Sequence, residues 1–334
     1  MDTHKISVII PVYNEEKYIS EVIESINQQS REGQIEIIVV DGNSTDRTRD
    51  IILRLAKNLK ANREIRLLTN PEKSIPRSLN IACEAASAPI IVRIDGHTKA
   101  PKNYISEAVK TLESIDFNGI TGGRLRISPG SDTTVSNAIS TAVCHPFGIG
   151  NASYRTYQGN EIVETDTVPF GAFAKETWEL LGGYDEELLG DEDYDFCIRA
   201  RAKGMQILLN PSIILDYYAR PTYIDLWEQY YRYGYWTTRT LSKHKKVPAF
   251  RKCIPLLFTA TLLFLSVFNP TLLFLQLIIY LAVAVFFSFK ASRPVKEPKI
   301  LFSLCLLLSF PILHFSYGFG NIFGIAGLIF KRRR

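Results

Sequence analysis

Two clusters of side chains in this 334-residue sequence have the types and spacing that chemistry needs. The first is Asp95-Gly96-His97, which closes the apolar run Ile90-Ile91-Val92-Arg93-Ile94. A carboxylate and an imidazole two residues apart, with a flexible glycine between them, suit one divalent metal ion, although the same dipeptide also makes an ordinary turn. The second is Gly190-Asp191-Glu192-Asp193-Tyr194-Asp195, four carboxylates within five residues. At the start of a helix such acids favour its positive end. Crowding also raises their pKa values, which serves a general base as long as the chosen group stays ionised near pH 7.

Elements able to position these clusters follow from periodicity. Strands are expected at 6–10, 35–40, 65–68, 90–94, 120–127 and 205–209, and helical patterns follow through Ile19, Val22, Ile23 and Ile26, through 46–59, with Asp46 placed to cap, and through 75–86. Strands alternating with helices predict an α/β domain with a mainly parallel, doubly covered sheet. Ligands of such sheets bind beyond the carboxyl ends of the strands. Those ends carry Tyr13 and Glu15 after the first strand, Asp41 after the second, and Asp95 and His97 after the fourth. Neither a GxGxxG after the first strand nor a GxxxxGK[ST] is present, which removes the main support for dinucleotide and P-loop chemistry. Acidic loops stand in their place, and a diphosphate beside several carboxylates needs a cation. Residues 128–160 show no clear period; Arg124, Arg126 and Arg155 either meet phosphate near there or are solvated.

The ordered set Pro11-Val12-Tyr13-Asn14-Glu15, Asp41-Gly42-Asn43-Ser44-Thr45-Asp46, Asn70-Pro71-Glu72, Arg77-Ser78-Leu79-Asn80 and Asp95-Gly96-His97 resembles the family 2 inverting glycosyltransferases of the Rossmann-like GT-A fold. With histidine in the metal motif, it is similar to exopolysaccharide glucosyltransferases of the succinoglycan type. The resemblance covers roughly residues 5–240. It implies that Pro11, Tyr13, Glu15 and Asp41 line a nucleoside pocket, usually for uridine, and that Asp95 faces ribose and diphosphate with magnesium or manganese. His97 replaces the usual second Asp, so it is either a metal ligand or a phosphate contact. The Gly171-Ala172 segment is implied to lie under the donor sugar. Glu192-Asp193 matches the family's Glu-Asp pair, whose second member is the catalytic base; on chemistry alone Asp191 and Asp195 compete. Gln229-Tyr230-Tyr231-Arg232-Tyr233 is similar to the family's Gln-x-x-Arg-Trp box, which implies that Gln229 and Arg232 serve the donor diphosphate.

Charge is distributed unevenly along the chain. Residues 253–289 and 300–330 hold no Asp, Glu, Lys or Arg, and the basic residues of a chain of net charge +5 gather at their flanks. That placement marks membrane boundaries instead of a nucleic-acid surface. Thirty-seven uncharged residues would span about 55 Å as one helix against roughly 30 Å of hydrocarbon, so Asn269-Pro270 is expected to divide 253–289 into a hairpin. The 300–330 run is either one tilted span or two short segments. Five scattered cysteines without a CxxC pair fit a reducing compartment, and nothing suggests export.

The sequence therefore predicts a GT-A catalytic domain at 1–248 followed by transmembrane helices at 249–334, multi-pass in the cell membrane with the catalytic domain cytoplasmic. Its expected activity is inverting transfer of a sugar from a nucleotide diphosphate donor, a UDP-hexose by resemblance, to a lipid-linked saccharide in exopolysaccharide or surface-glycan synthesis. Rival readings are a processive polysaccharide synthase and a catalytically silent sensor of nucleotide sugars.

Overall fold

A computed structural model of the chain describes residues 3–245, 250–294 and 298–331. The expected boundary at 248, and the basic residues Lys246, Lys296 and Arg332 to Arg334, lie outside these. The chain forms two compact units: residues up to Arg126 with Ser153–Tyr217, and Ile127–Ala152 with the chain from Tyr218 onward.

In the first unit strands and helices alternate as β1 (Lys5–Val12), α1 (Ile19–Asn27), β2 (Gln34–Asp41), α2 (Thr48–Leu55), β3 (Arg63–Thr69), α3 (Ile75–Ala85), β4 (Ile90–Arg93) and α4 (Tyr104–Glu113). Strand β5 (Gly119–Ser128) leads out to α5 (Thr134–Ala142) and the single turn α6 (Pro146–Ile149). The chain then returns through α7 (Ser153–Thr156), β6 (Val163–Glu164), β7 (Ala172–Ala174), α8 (Lys175–Leu181), α9 (Glu192–Ala202) and β8 (Gln206–Tyr218). The sheet order is β3-β2-β1-β4-β7-β5-β8-β6. Strands β3, β2, β1 and β4 run parallel, β7 is antiparallel to both β4 and β5, and β6 is antiparallel to β8.

Ile6, Val8, Ile9 and Ile10 are fully buried, as a central strand covered on both faces requires. Helix α1 closes one face by burying Ile19, Val22, Ile23 and Ile26, each worth about 1.5–3 kcal/mol relative to exposure. Another layer packs Ile9, Ile38, Leu79 and Ile91 with Phe173 and Phe196. Parallel register sets Val12 level with Asp41 and Asp41 level with Thr69, so the segments after these strands emerge along one edge.

The second unit adds α10 (Tyr223–Lys243), α11 (Phe250–Phe268), α12 (Pro270–Ser292) and α13 (Lys299–Lys331) to α5 and α6. The expected hairpin forms: Asn269 Oδ1 accepts from Leu272 N at 3.1 Å, and Pro270 opens the helix that follows. Residues 300–330 lie in one continuous helix of 33 residues with Pro311 inside it, about 50 Å long; of the two options the sequence left open, the single segment is the one observed. Helices α12 and α13 are long and apolar enough to cross a membrane, with mean hydropathy 2.5 and 1.9. Phe274, Phe286 and Phe289 on α12 are exposed, where a soluble protein's core helix would bury them.

Helix α10, rich in aromatics, lies along α13 with glycines at the contact. A Cβ on Gly234 would overlap the Tyr317 carbonyl and one on Gly320 the Tyr231 carbonyl, and Asn321 Nδ2 donates to the Gly234 carbonyl at 2.8 Å. Small residues let helix backbones approach this closely. Gly234→Val is therefore expected to lower the thermal unfolding temperature in detergent, with a cost of about 1–3 kcal/mol. Gly327→Val, whose added carbon would meet only ordinary contacts at 3.5 Å or beyond, should leave it nearly unchanged.

Candidate active site

The edge of the first unit is organised by a buried arginine. Arg93, the last residue of β4, is 4% exposed. Its Nε donates to Asp95 Oδ1 at 3.1 Å and its Nη2 to Glu192 Oε1 at 2.8 Å. Burial alone would lower the arginine's pKa, but the two carboxylates more than offset this and raise it. One guanidinium thus ties Asp95 to the first residue of α9, joining the two clusters singled out in the sequence. Strand β7 and helix α4 hold this arrangement. Arg93 N donates to the Gly171 carbonyl at 3.2 Å, and the Tyr104 hydroxyl lies 2.9 Å from the Arg93 carbonyl and 2.7 Å from that of Phe170.

Asp193 follows directly. Its Oδ1 accepts from Tyr194 N at 2.7 Å. Burial first, and then the neighbouring Glu192, push its pKa up to about 7, while Arg93 opposes the shift. Asp195 is fully buried and is held at 2.6 and 2.8 Å by Arg199, which also donates to the Leu181 and Gly183 carbonyls. Asp195 therefore anchors α9 to the loop before it. Asp191 adopts a left-handed backbone, φ 67°, at the helix start.

Beside Asp95, His97 Nδ1 donates to Glu15 Oε1 at 2.9 Å, and its ring meets Tyr217 edge-on at 5.8 Å. With the proton on Nδ1, the neutral imidazole carries its lone pair on Nε2. This carboxylate–histidine pairing is the arrangement that orients metal-ligating imidazoles. The approach is close: a Cβ on Gly96 would stand 2.9 Å from Val12 Cγ1 and 3.0 Å from Glu15 Cγ. Among the described residues no group of three or more His, Cys, Asp or Glu is gathered for a metal. Asp95 and His97 could supply two protein donors, a set suited to an ion whose remaining positions come from phosphate oxygens and water.

Pro11 lies within β1, and Tyr13 just beyond it is 44% exposed, with the Lys73 ammonium 4.9 Å from its ring centre. Asp41 is fully buried at the end of β2, where its carboxylate accepts from Ser44 N, Ser44 Oγ and, at 2.8 Å, Arg49 Nη1. It shapes the 41–46 loop from beneath. Gln229 and Arg232 belong to the second unit. Gln229 is buried and donates to the Tyr233 hydroxyl at 3.1 Å, while Arg232 is exposed. Arg126 is held by both oxygens of Asp216.

Sequence reasoning missed Arg93, Lys73 and Arg49. A charge in an otherwise aliphatic strand was the available signal for Arg93, because a buried arginine needs carboxylate partners. Asn80 ends the Arg77-Ser78-Leu79-Asn80 motif. It accepts from Tyr184 N at 2.7 Å and Trp178 Nε1 at 3.2 Å, and donates to the Tyr184 carbonyl and Glu186, fixing the loop that leads to α9. Glu192→Ala leaves the buried Arg93 charge with one partner in place of two, and is expected to destabilise the protein by about 3–5 kcal/mol in thermal or denaturant unfolding.

The chain is similar to a succinoglycan biosynthesis protein, ExoA, of Rhizobium meliloti strain 1021, 26% identical over 251 residues that cover 75% of this chain and 74% of that protein. It is also similar to a dolichyl N-acetyl-alpha-D-glucosaminyl phosphate 3-beta-D-2,3-diacetamido-2,3-dideoxy-beta-D-glucuronosyltransferase of Methanococcus voltae, 27% identical over 240 residues, 69% of this chain and 71% of that one. Among solved structures, a mannosyltransferase of Pyrobaculum calidifontis in complex with GDP-Man and Mn2+ superposes with a TM-score of 0.60 at 20% identity, over 95% of this chain and 86% of that one; it shares the GT-A fold. The model for glycosyl transferase family 2 matches residues 7–174, the segment that carries Arg93 and Asp95, the Glu15–His97 pair and the ends of β1, β2 and β4, and the chain belongs to that family.

Proposed function

We propose that the protein transfers one hexose, with inversion, from a nucleoside diphosphate sugar to a lipid-linked saccharide at the cytoplasmic face of the cell membrane, with UDP as the donor nucleotide. Residues 1–248 carry the chemistry and 249–334 hold the enzyme at the membrane as a multi-pass anchor. The observation that carries this reading is the Arg93 bridge, which sets the Asp95 carboxylate and the Glu192-Asp193 pair on one sheet edge. Relatives named for succinoglycan biosynthesis and for a dolichyl N-acetyl-alpha-D-glucosaminyl phosphate support the choice of acceptor class.

In the proposed reaction the acceptor hydroxyl attacks the anomeric carbon while the bond to the nucleoside diphosphate breaks on the opposite face. The hydroxyl proton passes to an Asp193 oxygen. A pKa near 7 makes that carboxylate basic enough to take the proton and leaves much of it ionised at neutral pH. Glu192 and Arg93 set its position and basicity. Tyr13 offers its exposed ring to the nucleobase, Pro11 and Asp41 shape the floor of that pocket, and Gln229 and Arg232 serve the diphosphate. Asp95 and His97 would hold a magnesium or manganese ion, with Glu15 orienting the imidazole; when bound, the ion neutralises charge on the departing diphosphate. The anchor keeps the enzyme on the surface that contains its acceptor, which raises the effective concentration of a substrate unable to leave the lipid.

The test is transfer by the full chain in detergent from UDP-glucose and related donors to a polyprenyl-linked saccharide. Asp193→Asn should lower kcat by about 10²–10⁴ while donor binding is retained, and chelation of divalent ions should stop turnover. Wild-type kcat/KM should rise with pH and level off above about 7, because the base works only when deprotonated. Full activity in Asp193→Asn would overturn the assignment of the base.

A further inference from the structure

The second unit contains a cleft that the proposed transfer chemistry leaves unused. It measures about 370 Å³ and is lined by Ile127, Ser140, Thr141, Cys144, His145 and Pro146, within the range of roughly 300–1,000 Å³ usual for small-molecule sites. All six residues belong to one compact unit, on and around α5 and α6. The His145 ring stands between Phe287 of α12 and Phe310 of α13, with centroids at 5.2 and 5.5 Å. The cleft therefore lies against two apolar helices, near the end of α12 where Lys290 and Arg293 follow the apolar run. On a membrane-spanning helix that is the level of the lipid headgroups.

Polar groups at this wall are arranged for an anion. His145 Nδ1 accepts from Phe147 N at 3.1 Å, so the neutral ring carries its proton on Nε2, a donor that meets no acceptor among the described residues. Lys290 lies three residues after Phe287 on α12 and so on the same side of the helix as the ring that meets His145, and it makes no ion pair among the described residues. Acids are few in the segments around it: residues 253–289 and 300–330 contain none, residues 127–152 contain only Asp132, and α10 of the same unit adds Glu228 and Asp225, the latter held by the Thr222 hydroxyl. The Ser140 and Thr141 hydroxyls donate to the Asn137 carbonyl within α5, which leaves His145 and Lys290 as the groups that recognise the anion. One uncompensated ammonium, one N–H donor and an apolar wall together match a phosphate carried on a single hydrocarbon chain better than a diacyl lipid, which brings two chains to one headgroup.

We infer that the cleft beside α5 and α6, next to the end of α12, binds the isoprenoid phosphate moiety of the lipid-linked acceptor, with Lys290 and His145 on the phosphate and Ile127, Pro146 and Phe287 along the first part of the chain. The inference rests on the proposed acceptor class and adds where its lipid is held.

Farnesyl phosphate is the probe, titrated calorimetrically into the detergent-solubilised full chain, with farnesol, inorganic phosphate and phosphatidylglycerol in parallel. Farnesyl phosphate should bind at least about tenfold more tightly than each of the three. Lys290→Gln and Thr141→Trp, the first removing the exposed cation and the second filling the cleft, should each weaken it by about tenfold and leave nucleotide-sugar binding unchanged. Equal affinity for farnesol or phosphatidylglycerol, or undiminished binding in both variants, would overturn the inference. If the wild type turns over a nucleotide sugar yet does not bind farnesyl phosphate, the inference fails and the transferase reading stands; if it binds farnesyl phosphate at this cleft but no nucleotide sugar, the cleft stands and the transferase reading fails.

Discussion

A guanidinium buried at the end of a central strand is expensive unless carboxylates meet it, and the first unit is arranged so that they do. Arg93 emerges where β4 ends, with Asp95 two residues ahead in the chain and Glu192 ninety-nine residues away at the start of α9. The second contact requires the 182–191 loop to return to this edge. Several features secure that return: Asn80 holds the loop at Tyr184 and Glu186, Arg77 reaches Glu186 at 3.1 Å, and Arg199 ties Asp195 to the Leu181 and Gly183 carbonyls. Tyr184 then stacks on Phe196 at 4.6 Å between ring centres, so the loop and α9 share the apolar core.

The same bridge sets the electrostatics of the site. Burial and Glu192 raise the Asp193 pKa and Arg93 restrains it, which leaves the group near 7, where a carboxylate is both available and basic. Without the arginine the crowded acids of 191–195 would have no internal cation on the β4 side. On the other side of Asp95, Glu15 engages His97 and fixes which imidazole nitrogen carries the proton. The histidine that stands where the family pattern usually has a second aspartate thus comes with a carboxylate placed to direct its ring.

Much of the fold was legible because parallel strands and amphipathic helices leave strong periodic signals. Ile6 to Ile10, Ile35 to Val40 and the run before Asp95 form the central strands, and Asn269-Pro270 turns the apolar stretch as its length demanded. Strand β7 was not anticipated, because three residues, Ala172–Ala174, hold their place through neighbours on both sides and not through local pattern. For 128–160 the absence of a clear period reflects short helices that divide between the two units. The glycine contacts of helix α10 with α13 depend on Gly320 and Gly324, some ninety residues further along, and such pairing is invisible to a local reading. The individual site residues were legible as types, whereas the bridge that joins them was not, since spacing within one segment says nothing about a partner ninety-nine residues away.

Central to the account is a single carboxylate that takes the acceptor proton while the diphosphate leaves from the opposite face, with no covalent sugar–enzyme stage. The most direct measurement is the anomeric configuration of the first product, read by proton NMR of the newly formed glycoside from an α-linked nucleotide sugar. The account predicts a β-glycoside, and an α-glycoside as the initial product would contradict it.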